Sequence, residues 1–522
     1  MASILTNTSA MVALQNLRTI NANLTDTQNQ IATGKKIATA KDNSAIWAVS
    51  KVLESDVSAF KAISDSLNLG DATVAVARQA SETVADLLTE MKGNIVSAQE
   101  ENVDRSKIQA DIDAKVQQIN AIVEAASFNG LNLVKGVEDV NILGSLQRDG
   151  SGSVSAQDIT ITRQDLTTFS GTNGVGSAGS TDLSGQIQDG TGSAFTSATV
   201  GAAGNTAVIE FNQTAGWDAT DVASVTINGQ TVSYTSTADD TGDTVVRDAL
   251  LSSLQALDLE DITFAATGTD QITITSTRAF EDVELSVADQ QNSAGGDGNA
   301  YIFSINGVAS VGTGVETGTV EQRAEEIFFA GGSVSEGNSY QVSLGGTAYF
   351  YTAGKGETFE DVANGLKTAV DAAEIDGLTT KVAVDPTTGQ VSLKFDNSGA
   401  DVTLTTAAGT GGEASGGLFG LDSLSVLDNQ SASDALEQID VLLNNALDAA
   451  AAFGSDQSRI ELQSSFLSKL TDSLKAGIGS LVDADLEAAS ARLQALQVQQ
   501  QLGIQSLSIA NQAPQSILAL FR

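Results

Sequence analysis

LSIANQAPQSILALFR, residues 507–522, closes the chain without an acidic residue and with a single charge, at Arg522. The 522-residue chain carries 26 basic and 65 acidic side chains, a formal net charge of −39, so a polar and solvated terminus is the ordinary expectation. An apolar terminus instead needs other protein to cover it. The stretch therefore predicts a terminal helix that packs against a partner segment.

Heptad repeats of apolar residues occupy both ends of the chain. Near the C-terminal end one series keeps seven-residue spacing and then continues in a shifted register, through Ile460, Leu467, Leu474, Leu481, Leu486, Leu493 and Leu507. Near the N-terminal end the residues at heptad spacing, with two apolar neighbours alongside, are Leu17, Leu24, Ile31, Ala13 and Ile20. Such spacing is typical of coiled-coil seams, and it predicts long helices with breaks near Gly34 and Gly70.

The outermost helical stretches have a composition of their own. Residues 1–35 and 486–522 are rich in Gln, Asn, Ala, Ser and Leu and carry few charges. Helices of this kind are weak alone and become stable only when partners bury their apolar stripe. We expect these two stretches to pack against other copies of the chain, and the stripes at 43–127 and 431–480 to pack within one molecule.

The acidity is concentrated in the middle of the chain. Residues 1–136 carry a net charge of −3 and residues 431–522 a net charge of −5, whereas residues 137–430 carry −31. The middle also changes to Gly, Thr, Ser, Asp and Val, with an alternation of period two that predicts strands. The clearest strand patterns are DITIT (158–162), SVTINGQTVSY (224–234), QITITS (271–276), YQVSLGGTAYFY (340–351) and QVSLKF (390–395).

An internal repeat runs through this middle part. The segment from Val225 to Tyr234 matches the segment from Val342 to Tyr351 at an offset of 117 positions. Two later matches have an offset of 119 positions: Gln271-Ile-Thr-Ile with Gln390-Val-Ser-Leu, and Asp282-Val-Glu-Leu with Asp401-Val-Thr-Leu. Repetition at nearly the same offset indicates two copies of one structural unit.

Each copy reads as a ββαββ module, the first at about residues 205–290 and the second at about 338–410. Thr244 and Thr358 stand where the two short helices should begin, and their hydroxyls are expected to cap the helix starts. The predicted fold class is α+β. Long antiparallel helical ends, in which the N- and C-terminal segments pair as a coiled coil, carry two inserted β-rich ββαββ modules that form outer domains.

Composition also excludes several classes of function. The chain has no Cys and no His, so disulfides, thiolate and imidazole metal sites, and His-based catalytic triads are absent. We predict that the chain is not an enzyme and uses no cofactor or metal. The first 20 residues lack the pattern of a cleaved secretory signal, and no apolar run reaches membrane-spanning length, so we expect no membrane insertion.

Four segments in the terminal parts carry a recognisable pattern, ATGKKIATAKDNSAI (32–46), SFNGLNLV (127–134), FGSDQSRIE (453–461) and DADLEAASARLQALQVQQQLGIQSLSIANQAPQSILALF (483–521). The first is similar to S-S-G-x-R-I-N-S-A-K-D-D-A-A-G, and the last follows D-A-D-x-A-x-E…Q-A-N-Q-x-P-Q-x-V-L-x-L-L. On these segments the chain resembles bacterial flagellin, the subunit of the flagellar filament. The resemblance implies a structural protein that polymerises into a propeller for swimming.

The resemblance further implies a role for particular residues. Those expected to pack in the filament core are Leu17, Ile20, Leu24, Ile31, Leu486, Leu493, Leu496, Leu507, Pro514 and Leu518. Those expected to form the motif of the surrounding layer are Gly34, Lys41, Asp42, Phe128, Asn129, Gly130 and Arg459.

The same resemblance divides the chain into five parts. Residues 1–42 and 483–522 are expected to form the inner core. Residues 43–168, with helices and a β-hairpin, and residues 426–482 are expected to form the layer around it. Residues 169–425 are expected to form the variable outer domains.

Partners follow from the resemblance as well. The first is the chain itself, as a helical homopolymer, followed by the flagellar export apparatus, a flagellin chaperone, the filament cap and the hook-associated proteins. The expected location is the extracellular filament, reached without a cleaved signal peptide. The overall acidity and the sparse basic clusters make nucleic-acid binding an unsuitable alternative.

Two alternatives stay open at the level of sequence. The hook–filament junction protein shares the helical ends. An acidic extracellular calcium-binding adhesin, of a different class, would use the loops DGSGS (149–153), ADDTGD (238–243) and GGDGN (295–299), although none has the ligand spacing of an EF-hand.

One segment departs from the family pattern. Many flagellins present Q-R-V-R-E-L-A-V-Q to the innate Toll-like flagellin receptor, whereas this chain has LTEMKGNIVS at 88–97. The altered positions are Glu90, Met91, Lys92 and Gly93, with Glu90 and Gly93 in place of an Arg and a Glu. We therefore predict weak or absent receptor activation.

Overall fold

The computed structural model describes residues 7–148, 154–212, 217–237, 242–290, 299–309 and 315–520. The helices are α1 (Thr8–Thr33), α2 (Ser44–Ala98), α3 (Arg105–Ala125), α4 (Asp243–Gln255), α5 (Phe359–Asp371), α6 (Asn429–Val482) and α7 (Leu486–Leu520), with short 3₁₀ turns at Ser184–Gln186 and Leu421–Ser423. Long helices at both ends and strands between them confirm the predicted α+β class.

The strands follow one another through the middle of the chain. The first six are β1 (Ser127–Phe128), β2 (Leu131–Asn132), β3 (Val140–Arg148), β4 (Val154–Ile161), β5 (Ile187–Gln188) and β6 (Ser197–Val200). The next nine are β7 (Asn205–Asn212), β8 (Val222–Ile227), β9 (Gln230–Thr235), β10 (Ile262–Thr267), β11 (Gln271–Ser276), β12 (Val283–Gln290), β13 (Asn299–Ile305), β14 (Val308–Ala309) and β15 (Thr317–Val320). The last six are β16 (Glu325–Phe329), β17 (Ser339–Leu344), β18 (Thr347–Thr352), β19 (Leu378–Val384), β20 (Val391–Asn397) and β21 (Val402–Gly409).

The chain divides into two compact units. The first contains residues 1–75, 139–161 and 452–522, and the second contains residues 76–138 and 162–451. In the first unit, α1 contacts α7, and the antiparallel pair β3–β4 forms a hairpin.

Gly34 ends the first helix, as the sequence predicted. Its φ of 68° lies in the left-handed region, where glycine is the favoured residue at a helix C-terminus. The break predicted near Gly70 is wrong, because α2 continues through this residue. Gly70 instead lies where the side chain of Ile142, on β3, comes so close that a β-carbon would meet it at 2.5 Å. The glycine therefore serves close packing of a strand on a helix.

The helices of the second unit carry buried apolar residues and are joined by ion pairs. Residues of α3 at spacings of four and three are buried, namely Ile112, Val116, Ile119 and Val123. Lys92 forms an ion pair of 2.5 Å with Asp440 on α6, and Lys115 on α3 forms one of 2.6 Å with Glu90 on α2. Ion pairs thus connect α2 with the neighbouring helix α3 and with α6, which lies far away in the chain.

Two sandwiches, each built from two β-sheets and one α-helix, complete the second unit. Sandwich 1 consists of α4 with two sheets, whose strand orders are β10-β11-β7-β13-β14 and β15-β12-β8-β9. Sandwich 2 consists of α5 with two sheets, whose strand orders are β19-β20-β16-β5 and β18-β17-β21-β6. In each sandwich, buried residues from both sheets and from the helix form one apolar cluster.

The starts of the two sandwich helices differ. Thr358 precedes α5 as predicted, and its backbone N–H donates to the carboxylate of Asp361 at 2.7 Å in a capping box. The cap predicted at Thr244 is wrong, because Gly242 precedes α4 and Thr244 lies in its first turn. The Thr244 hydroxyl instead donates to the carbonyl of Thr269.

Candidate assembly surface

The facing sides of α1 and α7 hold most of the residues predicted to pack in a filament core. On α1, Leu17, Ile20, Leu24 and Ile31 are all half-buried. On α7, the positions shielded from solvent follow one another at spacings of four and three, at Ala489, Leu493, Leu496, Gln500, Gly503, Leu507 and Ala510. This spacing keeps one face of α7 against its partner over about six turns of helix.

Contacts along the two helices show that they run antiparallel. The amide of Asn7 donates to the carbonyl of Ala510 at 2.8 Å, and the amide of Gln500 donates to the side-chain oxygen of Asn21 at 2.7 Å. Between these contacts, a β-carbon on Gly503 would lie 3.0 Å from Leu17. Gly503 is thus a packing residue that the heptad count of large apolar residues missed.

Backbone hydrogen bonds tie the end of α1 to the connection between α6 and α7. The N–H groups of Lys36 and Ile37 donate to the carbonyl of Val482, at 2.7 and 3.3 Å, and the N–H of Ala484 donates to the carbonyl of Gly34 at 2.9 Å. The predicted motif residue Gly34 therefore lies at a junction of the two chain ends.

The next predicted motif residue stabilises the loop that follows. The carboxylate of Asp42 accepts hydrogen bonds from the N–H groups of Ala38 and Thr39, at 3.0 and 2.9 Å, and from the hydroxyl of Thr39. The hydrogen bond from the Thr39 backbone is the largest cause that lowers the pKa of Asp42 below its ordinary value. Lys41, beside it, is exposed.

The SFNG segment is a two-residue hairpin. Phe128 pairs with Leu131, and the loop residues Asn129 and Gly130 have φ values of 51° and 80°. Positive φ at both central positions is the requirement of a type I′ turn, which Asn-Gly satisfies best. The motif is therefore explained by backbone geometry.

Arg459 holds the β3–β4 hairpin on α6. Its guanidinium donates to the carbonyl of Thr160 at 3.1 Å and forms an ion pair of 3.1 Å with Asp456. One turn along α6, the amide of Gln463 donates to the carbonyl of Gly144 at 3.0 Å, where the strand register shifts. Sequence reasoning found Arg459 through the motif and missed Gln463.

A second set of apolar residues points away from the contact between α1 and α7. The large apolar side chains exposed on these two helices are Met11, Val12, Leu14, Leu486, Val498, Leu502, Ile504 and Ile509. Ile509 is 68% exposed, and each helix carries only one acidic and one basic residue. An apolar surface of this kind, with few charges, is a surface for protein association. Pro514 and Leu518 also lie on α7, but their side chains fall outside the described residues.

The segment at 88–97 lies on α2 in the second unit. Met91 is fully buried, whereas Glu90 and Gly93 are exposed and Lys92 is half-buried. Glu90 and Lys92 are both engaged in the ion pairs described above. Of the four altered positions, Glu90 and Gly93 are therefore the exposed ones.

The calcium hypothesis rests on three loops that lie almost wholly outside the described residues. Of these loops, the structure describes only residues 242, 243 and 299. Within the part of the chain that the structure describes, no group of three or more acidic side chains is arranged to hold a metal ion. In the same part, no helix has the length and apolar character that crossing a membrane requires.

Comparisons with known proteins agree at both ends of the chain. Residues 4–139 match the bacterial flagellin N-terminal helical region, and residues 436–521 match the bacterial flagellin C-terminal helical region. Flagellin A and flagellin B of Rhizobium meliloti are each 30% identical over 528 residues, covering 100% of both chains. Among solved structures, flagellar hook associated protein-3 from Legionella pneumophila is 10% identical with a TM-score of 0.32, over 83% of this chain and 98% of that one.

The full-length similarity agrees with two features of the molecule. Its helical ends expose apolar faces, and an acidic β-rich part lies between these ends along the chain. The chain belongs to the bacterial flagellin family, and it is a structural subunit of the extracellular flagellar filament used in motility.

Proposed function

We propose that α1 and α7 pair as an antiparallel coiled coil and that copies of this pair form the inner tube of the filament. The hydrogen bonds of Asn7 and Gln500, together with the half-buried heptad residues, support the pairing. The apolar residues left exposed on both helices supply the surface that neighbouring subunits would cover. Their exposure on the single chain is the observation that carries the proposal.

The other parts of the chain take their places around this tube. Residues 1–42 and 483–522 form the inner core, and residues 43–168 and 426–482 form a surrounding layer. Residues 169–425 form the outer domains. Residues 205–290 contain β7–β12 with α4, and residues 338–410 contain β17–β21 with α5. Each range includes the expected ββαββ order, as β8-β9-α4-β10-β11 and β17-β18-α5-β19-β20, together with one or two further strands, which supports their interpretation as modules.

The distribution of charge suits this arrangement. Near-neutral ends can pack in many copies without strong repulsion, whereas the net charge of −31 in residues 137–430 keeps an outer surface soluble and discourages filaments from adhering to one another. Subunits related by a helical operator make head-to-tail contacts that do not close, so growth is open-ended.

The remaining partners follow from membership of the flagellin family. The chain leaves the cell through the flagellar export apparatus without a cleaved signal peptide, assisted by a flagellin chaperone. The filament cap and the hook-associated proteins are its neighbours at the two ends of the polymer.

The segment at residues 90–93 reduces recognition by the innate flagellin receptor. Glu90 and Gly93, both exposed, replace an Arg and a Glu of the pattern that the receptor recognises. Purified monomer is expected to give weak or no signalling in receptor-expressing cells. Strong signalling, comparable with that of a flagellin carrying the usual pattern, would contradict the idea.

Seeded polymerisation tests the assembly surface. We expect Leu502→Ser combined with Ile509→Ser to leave the monomer folded, because both side chains are exposed, and to raise the critical concentration at least about tenfold. Burying one such side chain contributes about 1.5–3 kcal/mol, and about 1.4 kcal/mol corresponds to a factor of ten. A chain truncated after Ala488 is expected to remain monomeric.

A matched control removes two exposed valines from the sandwiches, by Val308→Ser and Val384→Ser. This variant is expected to polymerise like the parent chain, as measured by sedimentation and negative-stain imaging. If the α7 variant also polymerised like the parent, the exposed face of α7 would have no role in assembly.

A further inference from the structure

The two sandwiches are built to the same plan. In sandwich 1, six consecutive strands and a helix, β7–β12 with α4, occupy the places that β16–β21 with α5 occupy in sandwich 2. We call these the body of each sandwich. In the first sheet of each body, the order β10-β11-β7 in sandwich 1 corresponds to β19-β20-β16 in sandwich 2. In the second sheet, the order β12-β8-β9 corresponds to β21-β17-β18. The likeness therefore extends beyond the short segments that repeat in sequence.

Each body is completed by two further strands at equivalent edges. In sandwich 1, β13 pairs with β7 and β15 pairs with β12. In sandwich 2, β5 pairs with β16 and β6 pairs with β21. We call β5 with β6 the first donor pair, and β13 with β15 the second donor pair.

The register of the donor strands is the same in both sandwiches. Val320 on β15 is opposite Val283, and Val200 on β6 is opposite Val402. Val283 and Val402 are themselves equivalent in the sequence repeat, at the offset of 119. The sequences of the two strands, TGTV in β15 and SATV in β6, correspond residue by residue.

The other donor strands correspond as well. Ile302 on β13 is opposite Ile209, and Ile187 on β5 is opposite Phe329. Each of these isoleucines also forms a backbone hydrogen bond of 2.9 Å with the residues just before the other strand of its donor pair. The N–H of Ile302 donates to the carbonyl of Val315, before β15, and the N–H of Phe195, before β6, donates to the carbonyl of Ile187. The two strands of each donor pair thus agree in their position at the sheet edge, in the body strand with which they pair and in the register of that pairing.

Chain order and spatial order nevertheless disagree. The first donor pair precedes the body of sandwich 1 in the chain but completes sandwich 2. The second donor pair precedes the body of sandwich 2 but completes sandwich 1. We propose that the outer part is a tandem duplication, β5–β12 followed by β13–β21, in which each repeat gives its donor pair to the body of the other.

The connections between donor and body have the geometry that strand exchange requires. Residues 201–204 join β6 to β7, and residues 321–324 join β15 to β16, so each crossing has four residues. In sandwich 1, the amide of Asn205, at the start of β7, donates to the carbonyls of Glu321 and Gln322 at 3.1 and 2.7 Å. The end of the second donor pair therefore touches the start of the body that it completes.

Sandwich 2 has the same relationship. The amide of Asn397 donates to the carbonyl of Val200, the last residue of β6, at 3.1 Å. Two residues away on β20, Phe395 is opposite Glu325, the first residue of β16. A four-residue segment reaches about 13 Å, so it could join donor and body within one sandwich as readily as between two. Exchange of identical elements between neighbouring copies is a low-cost rearrangement in such cases.

The edges of β16 and β21 are consequently a docking surface for two strands of a second copy of the repeat. Either donor pair should fit it.

The connection between β15 and β16 is also held by an ion pair. Arg323 donates to both carboxylate oxygens of Asp396 at 2.7 Å, while its backbone N–H donates to the carbonyl of Arg278 in sandwich 1 at 2.8 Å.

Three deletions test whether the donor pairs are interchangeable. Deleting residues 187–301 removes β5–β12 and the first three residues of β13, and it places Ile302 directly after Gln186, where Ile187 stood. The rest of β13, together with β15, must then complete sandwich 2. Deleting residues 201–320 removes sandwich 1 and keeps the natural donor pair, as a reference. Deleting residues 187–320 removes both donor pairs. Hydrogen exchange of β16 and β21, with thermal unfolding, reports whether sandwich 2 is complete.

We expect the 187–301 deletion to protect the amides of β16 and β21 as the reference does, and the 187–320 deletion to lose that protection at least tenfold. If the 187–301 deletion instead behaved like the 187–320 deletion, the donor pairs would not be interchangeable and the proposal would be overturned.

Pairs of introduced cysteines in the full chain test directly which donor pair completes which sandwich, since the chain has no Cys of its own. Thr199 is opposite Thr403, so Thr199→Cys with Thr403→Cys is expected to close a disulfide. Thr199→Cys with Glu284→Cys, the pair that would meet if each repeat completed its own sandwich, is expected to stay reduced. The reverse result would overturn the exchange, whatever the deletions show and whether or not the chain polymerises.

Discussion

Gly70 faces Ile142 so closely that a β-carbon on the glycine would lie 2.5 Å from Cδ1 and 2.9 Å from Cγ2 of the isoleucine. Ile142 is itself buried on β3, and its Cγ2 is fixed by branching at the β-carbon. The contact sets how near the hairpin lies to α2.

Gly70→Ala is therefore expected to destabilise the monomer, although alanine favours helix. Overpacking of this kind costs about 1–3 kcal/mol, and the gain in helix propensity offsets about 1 kcal/mol of it. Urea unfolding should show a net loss of about 1 kcal/mol, and of at most about 2 kcal/mol. An unchanged midpoint would mean that β3 can move away at no cost.

Gly93→Ala, in the same helix, is the matched opposite. No atom lies within 4 Å of the place where its β-carbon would stand, and the residue is within a regular helix. Alanine is expected to raise the free energy of unfolding by about 0.5–1 kcal/mol, because glycine loses more backbone entropy on folding. A lower midpoint in urea would contradict this account.

The stability of sandwich 2 should depend on pH through Glu357. Burial is the main cause that raises the pKa of this carboxyl to about 7, while it accepts hydrogen bonds from the Tyr351 hydroxyl and the Gly354 N–H, both at 2.9 Å. Since the folded state holds its proton more tightly than the unfolded state does, stability is greatest below the unfolded pKa and falls as pH rises toward 7.

The loss across that window is expected to be up to about 3 kcal/mol, at about 1.4 kcal/mol for each pKa unit. Glu357→Gln keeps an acceptor for Tyr351 and cannot ionise, so it should remove this dependence between pH 5 and 8 and be the more stable chain at pH 8. Parallel pH profiles of the two chains would rule the explanation out.

Lys367 on α5 is buried with three acidic partners. Its Nζ lies 2.6 Å from Asp371, and 3.6 and 3.7 Å from Asp434 and Glu437 on α6. Lys367→Met leaves a buried carboxylate without its cation and is expected to cost about 3–5 kcal/mol. Guanidinium unfolding, followed by circular dichroism, measures the change.

An exposed lysine provides the control. Lys475 lies 3.7 Å from Asp472 and is 60% exposed, so Lys475→Met should change stability by less than about 0.5 kcal/mol. Equal effects of the two substitutions would show that the buried cluster does not stabilise the fold. Restoring part of the lost stability by adding Asp371→Asn would locate the cost in the unpaired carboxylate.

The helical ends were predictable because their signals are local. Seven-residue spacing and a glycine after α1 each determine structure within a few residues. The places that were missed depend on tertiary contacts. Gly70 resembles a helix break in sequence, yet the approach of Ile142 explains it, and Gly503 is important only because α1 lies opposite.

The sandwiches were predictable in part for the same reason. The alternation in β8 and β11 and the offset between the two repeats indicated modules. β6 and β15, by contrast, have four residues each, too few for a pattern, and their partners lie far away in the chain. Which body a short strand joins is decided by three-dimensional pairing, so the exchange could not be inferred from the repeat alone.

The ion pair of Arg323 with Asp396 has a mechanical consequence. The residue that carries the chain from sandwich 1 into sandwich 2 is bonded to both, through its backbone on one side and its guanidinium on the other. In the arrangement proposed above, the sandwiches lie at the outer surface of a rotating filament, where viscous drag is greatest, and a loose joint between them would let one sandwich bend against the other. The two charge-assisted hydrogen bonds of Arg323 oppose this bending, so the outer surface would keep its shape while the filament turns.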